Sequence, residues 1–302
     1  MRTIALAGAY PYLLARAVLA ALHSRRREGP GGAFADFGRA VGLRLLLRGH
    51  GTGAGLLLRP VESVRYFEFP FALRCCPGAP GRCLDVSSPR LFSLYVAHMR
   101  PGTIIRMINP DGRDIATTAR VARALGLANV QLDVCGVDAV AEERSRYDCI
   151  WSLSVVEHIA GAYQDGEAVR WMYDALAEGG RLILTVPVDR TFREEYRETS
   201  DYGTQPAVHG RYFFQRLYDR AAIWERIVGR IGRDPDVVAW FGERTPGHFA
   251  DYERRWMRQG FFATVDDPRD ITDHYTTFPS WESMPGQGVC GLMFEKRHAE
   301  QR

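Results

Sequence analysis

Between residues 82 and 188 the chain alternates short apolar runs with stretches whose apolar positions recur at helical spacing. Cys83 to Val86, Thr103 to Ile108, Val130 to Val134, Tyr147 to Leu153 and Arg181 to Val186 are runs of strand length. Near-continuous apolarity over that length is the mark of strands covered on both faces. Leu91 to His98, Ile115 to Leu125 and Ala168 to Ala177 carry the helical period, the last stopped by Gly179-Gly180, and a further helix is expected through Val155 to Ile159. Strands alternating with helices of this length predict an α/β fold, a parallel sheet with right-handed crossovers and helices on both faces.

Beyond Asp189 the pattern changes. Thr191 to Tyr212 is polar, arginine-rich and loop-like, Asp219 to Ile231 reads as a helix, and Val237 to Phe241 and Gly288 to Glu295 read as a sixth and a seventh strand. Between those strands, Thr245 to Gly286 is an insertion with one clear helix, Tyr252 to Gln259. Ahead of the alternation lie an apolar stretch, Ile4 to Leu22, and a second helical stretch, Phe34 to Leu47, with Phe34, Phe37, Val41 and Leu45 on one face. This divides the chain into a helical extension over 1–65 and an α/β domain over 66–302, with substrate-side insertions at about 190–215 and 245–286.

Composition narrows the function classes. A net charge of +3 over 302 residues, with 46% apolar and 25% charged residues, carries no nucleic-acid footprint. Lys296 is the only lysine, so arginine forks are what the chain offers to acidic groups. The six cysteines form no C-x-x-C pair and no metal-ligand spacing, which points to a reducing, cytoplasmic setting and to no metal. In Ile4 to Leu22 the charges follow the apolar run, the reverse of a secretion signal, and Arg16 disfavours a membrane span. An amphipathic helix packing on the core, or on a second copy in a homodimer, is expected there. Gly49-x-Gly51-x-Gly53-x-Gly55 looks like a phosphate loop but follows a helix, so a flexible turn is expected.

The candidate chemistry sits at strand ends, where open α/β sheets bind ligands. Asp85 ends the first strand, and the turn after it reads Ser87-Ser88-Pro89 where glycines are usual. Asn109 ends the second strand and stands where an acid ordinarily bonds ribose hydroxyls. Asp133 ends the third and offers an acceptor to an adenine edge, while Ser152-Leu153-Ser154 ends the fourth. The aromatic segment Arg65 to Phe71 reads as packing, with Tyr66 a candidate face for a cationic ligand.

Leu84-Asp85-Val86, Asn109-Pro110-Asp111, Asp133-Val134, Tyr147 to Ile159 and Gly179 to Pro187 together resemble the class I S-adenosylmethionine-dependent methyltransferases, especially the methyltransferase type 11 group. The resemblance spans residues 83 to 189. It implies a Rossmann-like sheet of seven strands, mostly parallel, whose last strand is antiparallel beside the sixth. It also implies S-adenosylmethionine as cofactor, held by Asp85, Ser87, Ser88, Asn109, Asp111, Asp133, Val134, Ser152 and Leu153, with Tyr66 alongside. Two departures stand out: the glycine-rich first turn is serine and proline, and the second-strand acid is Asn109, with Asp111 as its substitute. Either the serines contact the cofactor carboxylate or the site has degenerated. Glu157-His158 opens a helix in the family and reads as a structural pair. The fourth strand lacks the Asn-Pro-Pro-aromatic ending of base-modifying enzymes, which argues against nucleic-acid bases as acceptors, in agreement with the charge. A small-molecule acceptor, such as an intermediate of bacterial natural-product tailoring, follows. Asp189, His209 and Tyr212 are the candidate bases. The alternative is a methyltransferase-like protein that binds without transferring.

Overall fold

The computed structural model describes residues 29–200, 207–259 and 271–297, with scattered helical positions between 10 and 19. Most of the helix expected over Ile4 to Leu22 therefore lies outside the described residues. Among the described residues no helix is long and apolar enough to cross a membrane.

Eight strands form the central sheet: β1 (Arg82–Val86), β2 (Ile104–Ile108), β3 (Val130–Asp133), β4 (Tyr147–Leu153), β5 (Leu176–Val188), β9 (Val237–Glu243), β10 (Tyr275–Phe278) and β11 (Gly288–Glu295), ordered β10-β9-β11-β5-β4-β1-β2-β3. β1 to β5 run parallel. β11 inserts antiparallel between β5 and β9, as the family resemblance implies. The sheet is larger than the seven strands expected, because Tyr275–Phe278 inside the insertion pairs antiparallel with β9 and closes the edge. Four residues are too few for periodicity to distinguish from loop.

Strand parity sorts the core into two layers. Leu84, Val86, Ile150, Leu182 and Leu184 face the layer built from α6 (Asp165–Ala175) and the helical stretch 220–231. Cys83, Cys149, Trp151 and Ile183 face the opposite layer, built from α1 (Gly32–Leu47), α3 (Arg65–Cys75) and α4 (Arg90–Met99). A period of two with both faces buried explains why the strands are apolar throughout.

Three expectations are corrected. The glycine run is no flexible turn: α2 (Thr52–Leu58) starts within it and packs on α1. A Cβ on Gly53 would lie 2.3 Å from the Gly42 carbonyl oxygen, and one on Gly42 would lie 2.7 Å from that of Gly53. The glycines are there because the two backbones touch. Secondly, the segment read as loop over 191–212 forms most of a separate antiparallel sheet, β6 (Arg193–Arg197), β7 (Ala207–Val208) and β8 (Arg211–Leu217), ordered β6-β8-β7. Its polar strands follow from being covered on one side only. Thirdly, the helix expected at Val155 to Ile159 is a single 3-10 turn, Val156–His158, while α6 ends at Ala175 and the chain passes directly into β5, which contains Gly179-Gly180.

The α1–α2 crossing yields a prediction. Gly53→Ala is expected to cost about 1–3 kcal/mol through overpacking of two backbones. Gly78→Ala, where a Cβ meets nothing within 4 Å, should stay within about 0.5 kcal/mol of the parent. Urea midpoints of the two variants check this, and equal midpoints would refute the close-contact role.

Candidate functional site

A cavity of about 830 Å³ opens at the carboxyl ends of β1, β2 and β4, where the strand order reverses on either side of β1. This is the place at which doubly wound sheets receive ligands. Its floor is Val86 to Leu91, Asn109 to Asp111, Gly136, Val137, and Ser154 to Val155. Its roof is Leu56, Arg59 to Glu62 and Arg65 from the helical extension together with Phe69 of α3, and its far wall is His158 to Tyr163.

The first turn is built from serines. Ser87 has φ of 55°, the left-handed conformation in which glycine is free of strain. Its backbone N–H and its hydroxyl both donate to the Ile108 carbonyl, at 2.9 and 3.1 Å, which compensates the strain. Asp85 is 1% exposed and does not reach the cavity, contrary to its assignment as a cofactor ligand. It accepts instead from the Ser88 N–H at 2.9 Å and from the Ser93 hydroxyl at 2.5 Å, tying the turn to α4. Ser88 in turn accepts from the Leu153 N–H at 3.0 Å, and Ser93 from the Trp151 indole at 2.9 Å. Ser87 and Ser88 do line the cavity, and so does the first turn of α4, whose leading N–H groups lack intrahelical partners.

At the end of β2, Asn109 and Asp111 both border the cavity. Asn109 accepts from the Asp111 N–H at 2.8 Å, and Asp111 caps α5 (Gly112–Leu125) by accepting from the Arg113 N–H at 2.8 Å. That backbone bond, with the Arg113 side chain, lowers the Asp111 pKa. Asp114, absent from the sequence reading, also lines the cavity and pairs with Arg90. The third strand end is corrected. Asp133 turns away to the Arg106 guanidinium at 2.7 Å, and Val134 is exposed beside Gly112, so neither borders the cavity. Gly136 and Val137 take that place.

At β4, Ser152 and Leu153 are fully buried and face the core rather than the cavity. Ser154 lines it, again with a left-handed φ of 51°. Its hydroxyl donates at 2.5 Å to Glu68, a carboxylate with no exposed surface that also accepts from Thr185 at 2.6 Å and faces Arg65 at 3.5 Å. Glu157 is buried as well, and its Oε2 has no hydrogen-bond partner. Burial, then the charge of Glu68, push its pKa well above the carboxylate range, against the pull of Arg65. His158 borders the cavity, with Nδ1 2.6 Å from the Phe214 carbonyl and Nε2 3.8 Å from Glu157. Since a carbonyl only accepts, Nδ1 carries a hydrogen.

The remaining candidates lie elsewhere. Asp189 accepts from Gln287 at 3.0 Å and pairs with Arg193; burial opposes its ionisation, but these two partners outweigh it and hold its pKa low. His209 is exposed, Tyr212 sits on β8, and Tyr66 is buried in the roof helix, none of them bordering the cavity. Glu68, Arg59, Arg65 and Tyr163 gave no sequence signal, because they enter from segments without a motif. His158 had one, its place after the fourth strand.

No family model and no curated protein matches the chain. Among solved structures it is similar to the 4+2 cyclase SpnF, at 16% identity over 82% of each chain and a TM-score of 0.48. It is similar to geranyl diphosphate C-methyltransferase from Streptomyces coelicolor A3(2), in complex with Mg2+, geranyl diphosphate and S-adenosyl-L-homocysteine, at 13% identity over 76% of this chain and 77% of that one, TM-score 0.48. A geranyl diphosphate methyltransferase in complex with geranyl diphosphate and sinefungin matches at 16% identity over 82% and 84%, TM-score 0.49.

Asp85 supplies a pH prediction. Burial raises its pKa from 3.8 to about 6 against the opposing bonds of Ser93 and Ser88. The folded state therefore holds this proton more tightly than the unfolded chain. The associated stability, on the order of 3 kcal/mol, is present below pH 3.8 and lost as pH rises through about 6. Relative to Asp85→Asn, the parent should lose stability across that window in urea titrations; parallel curves for the two proteins would refute the assignment.

Proposed function

We propose that the chain transfers a methyl group from S-adenosylmethionine to a small organic acceptor inside this cavity. The observation that carries the reading is the position of the cavity, at the strand-order reversal with a serine-built left-handed turn on one side and a roof of mixed apolar and charged residues on the other. Ser87, Ser88 and the leading N–H groups of α4 suit the cofactor's carboxylate end. Asn109, Asp111 and Asp114 suit its ribose hydroxyls, and Gly136 and Val137 its base. This set replaces Asp85, Asp133, Val134, Ser152, Leu153 and Tyr66, none of which borders the cavity.

Leu56, Pro60, Val61, Phe69, Val155 and Ile159 offer the acceptor apolar surface, with Arg59, Glu62 and Arg65 beside them. Bound there, S-adenosylmethionine supplies an electrophilic methyl on a cationic sulfur. The chain's contribution is to exclude water and hold acceptor and methyl in line. His158, with its tautomer set by the Phe214 carbonyl, is the group suited to take the acceptor's proton on Nε2 as the new bond forms. It takes over the role that Asp189, His209 and Tyr212 were expected to fill.

Titration calorimetry with S-adenosylhomocysteine tests the cofactor. Binding in the micromolar range is expected, weakened about tenfold in Asp111→Ala. Failure to bind at millimolar concentration would leave only the non-transferring alternative. His158→Gln should keep that affinity and lower methyl transfer from labelled S-adenosylmethionine to a panel of hydroxyl and amine acceptors by about 10²–10⁴-fold. An unchanged rate would remove His158 from the reaction.

A further inference from the structure

The cavity wall Ile159-Ala160-Gly161-Ala162-Tyr163 is made mostly of small residues. Gly161 has φ of 117°, and the alanines and glycine have no side chains that reach an anchor. Backbone of this composition is costly to order unless something outside holds it. The holder comes from the small second sheet. Arg216 on β8 is 2% exposed, and its guanidinium donates from Nη1 to the Ile159 carbonyl and from Nη2 to Gln164 Oε1, both at 2.7 Å. One planar fork thus grips the wall at both ends. Its charge is balanced by Glu194 at 3.2 Å and by Asp165 at 3.9 Å. Asp165 is itself fixed by Arg226 and by the Tyr218 hydroxyl.

Two residues before Arg216 on the same strand, the Phe214 carbonyl fixes the His158 ring. The far end of β8 joins the main sheet, where Tyr218 N–H donates to the Pro187 carbonyl at 3.0 Å and Asp189 N–H to the Tyr218 carbonyl at 2.9 Å. On the other side of the wall, the Tyr163 hydroxyl reaches Asp138 at 3.1 Å, beside Gly136 at the end of β3. A load path therefore runs from the ends of β4 and β5, through β8 and Arg216, to the cavity face next to Gly136 and Val137.

We infer that Arg216 is a positioning residue: it holds the 159–163 wall in the shape that closes the cavity around its ligand, and the second sheet exists as the frame for that grip. The link to ligand affinity rests on the methyltransferase reading; the grip itself does not.

The test uses the full chain with Arg216→Met, Arg216→Lys and Gln164→Leu, the last cutting one tether, and with it the side-chain half of the capping box on α6, while leaving the buried charge in place. Amide hydrogen exchange is followed by mass spectrometry alongside S-adenosylhomocysteine calorimetry. Exchange over 159–164 should rise about tenfold or more in Arg216→Met and Gln164→Leu while peptides over β1 and β4 stay unchanged. Affinity for S-adenosylhomocysteine should fall about tenfold with it, and Arg216→Lys, which keeps charge but not the fork, should recover only part. If exchange rises evenly across the molecule, or stays flat over 159–164, Arg216 is ordinary fold support and the inference fails. Should Arg216→Met not fold, Gln164→Leu decides alone. If the parent binds no S-adenosylhomocysteine yet the local exchange change appears, the grip stands and the methyltransferase reading falls.

Discussion

One buried carboxylate holds the site together. Asp85 accepts from the turn through Ser88 and from α4 through Ser93, and those same two serines accept from the Leu153 N–H and the Trp151 indole of β4. A strand end, a turn, a helix and a neighbouring strand are thereby fixed by four hydrogen bonds around a single group. Burying a charge is expensive, and here the raised proton affinity is the visible cost. The return is geometric: Ser87 can be kept left-handed in a turn that lacks glycine.

A second buried carboxylate does the same for the roof. Glu68, on α3, accepts from Ser154 at the end of β4 and from Thr185 on β5. α3 is thus bonded to β5 and to the end of β4, and its Arg65 and Phe69 border the cavity. The α1–α2 glycine contact belongs to the same structure, since it sets where Leu56 and Arg59 can stand.

These two knots mark what sequence could and could not reveal. The parallel core was legible because strands buried on both faces leave continuous apolar runs, and the turn after β1 was legible as the hinge of the site. Side-chain direction was not. Asp85, Asp133 and Ser152 stand at strand ends, but strand parity sends Asp85 and Ser152 inward, and Arg106 draws Asp133 aside. Position along a strand predicts the level of the sheet a residue occupies; its face is decided by partners far away in sequence. The second sheet was missed for a related reason, since polar one-sided strands such as Arg193–Arg197 match a solvated loop in composition.

The carboxylates also explain how His158 differs from an ion-pair partner. An ionised Glu157 at 3.8 Å from Nε2 would favour the imidazolium, and a charged ring has no lone pair to offer an acceptor's proton. Burial and the neighbouring Glu68 instead raise the Glu157 pKa well above the usual carboxylate range, which weakens that pull. With Nδ1–H spent on the Phe214 carbonyl, Nε2 is the ring nitrogen through which His158 can take up a proton. The two acids therefore differ by environment: Glu68, with two hydroxyls and an arginine, braces the roof, and Glu157, whose Oε2 has no hydrogen-bond partner, holds a proton more tightly than an ordinary carboxyl group.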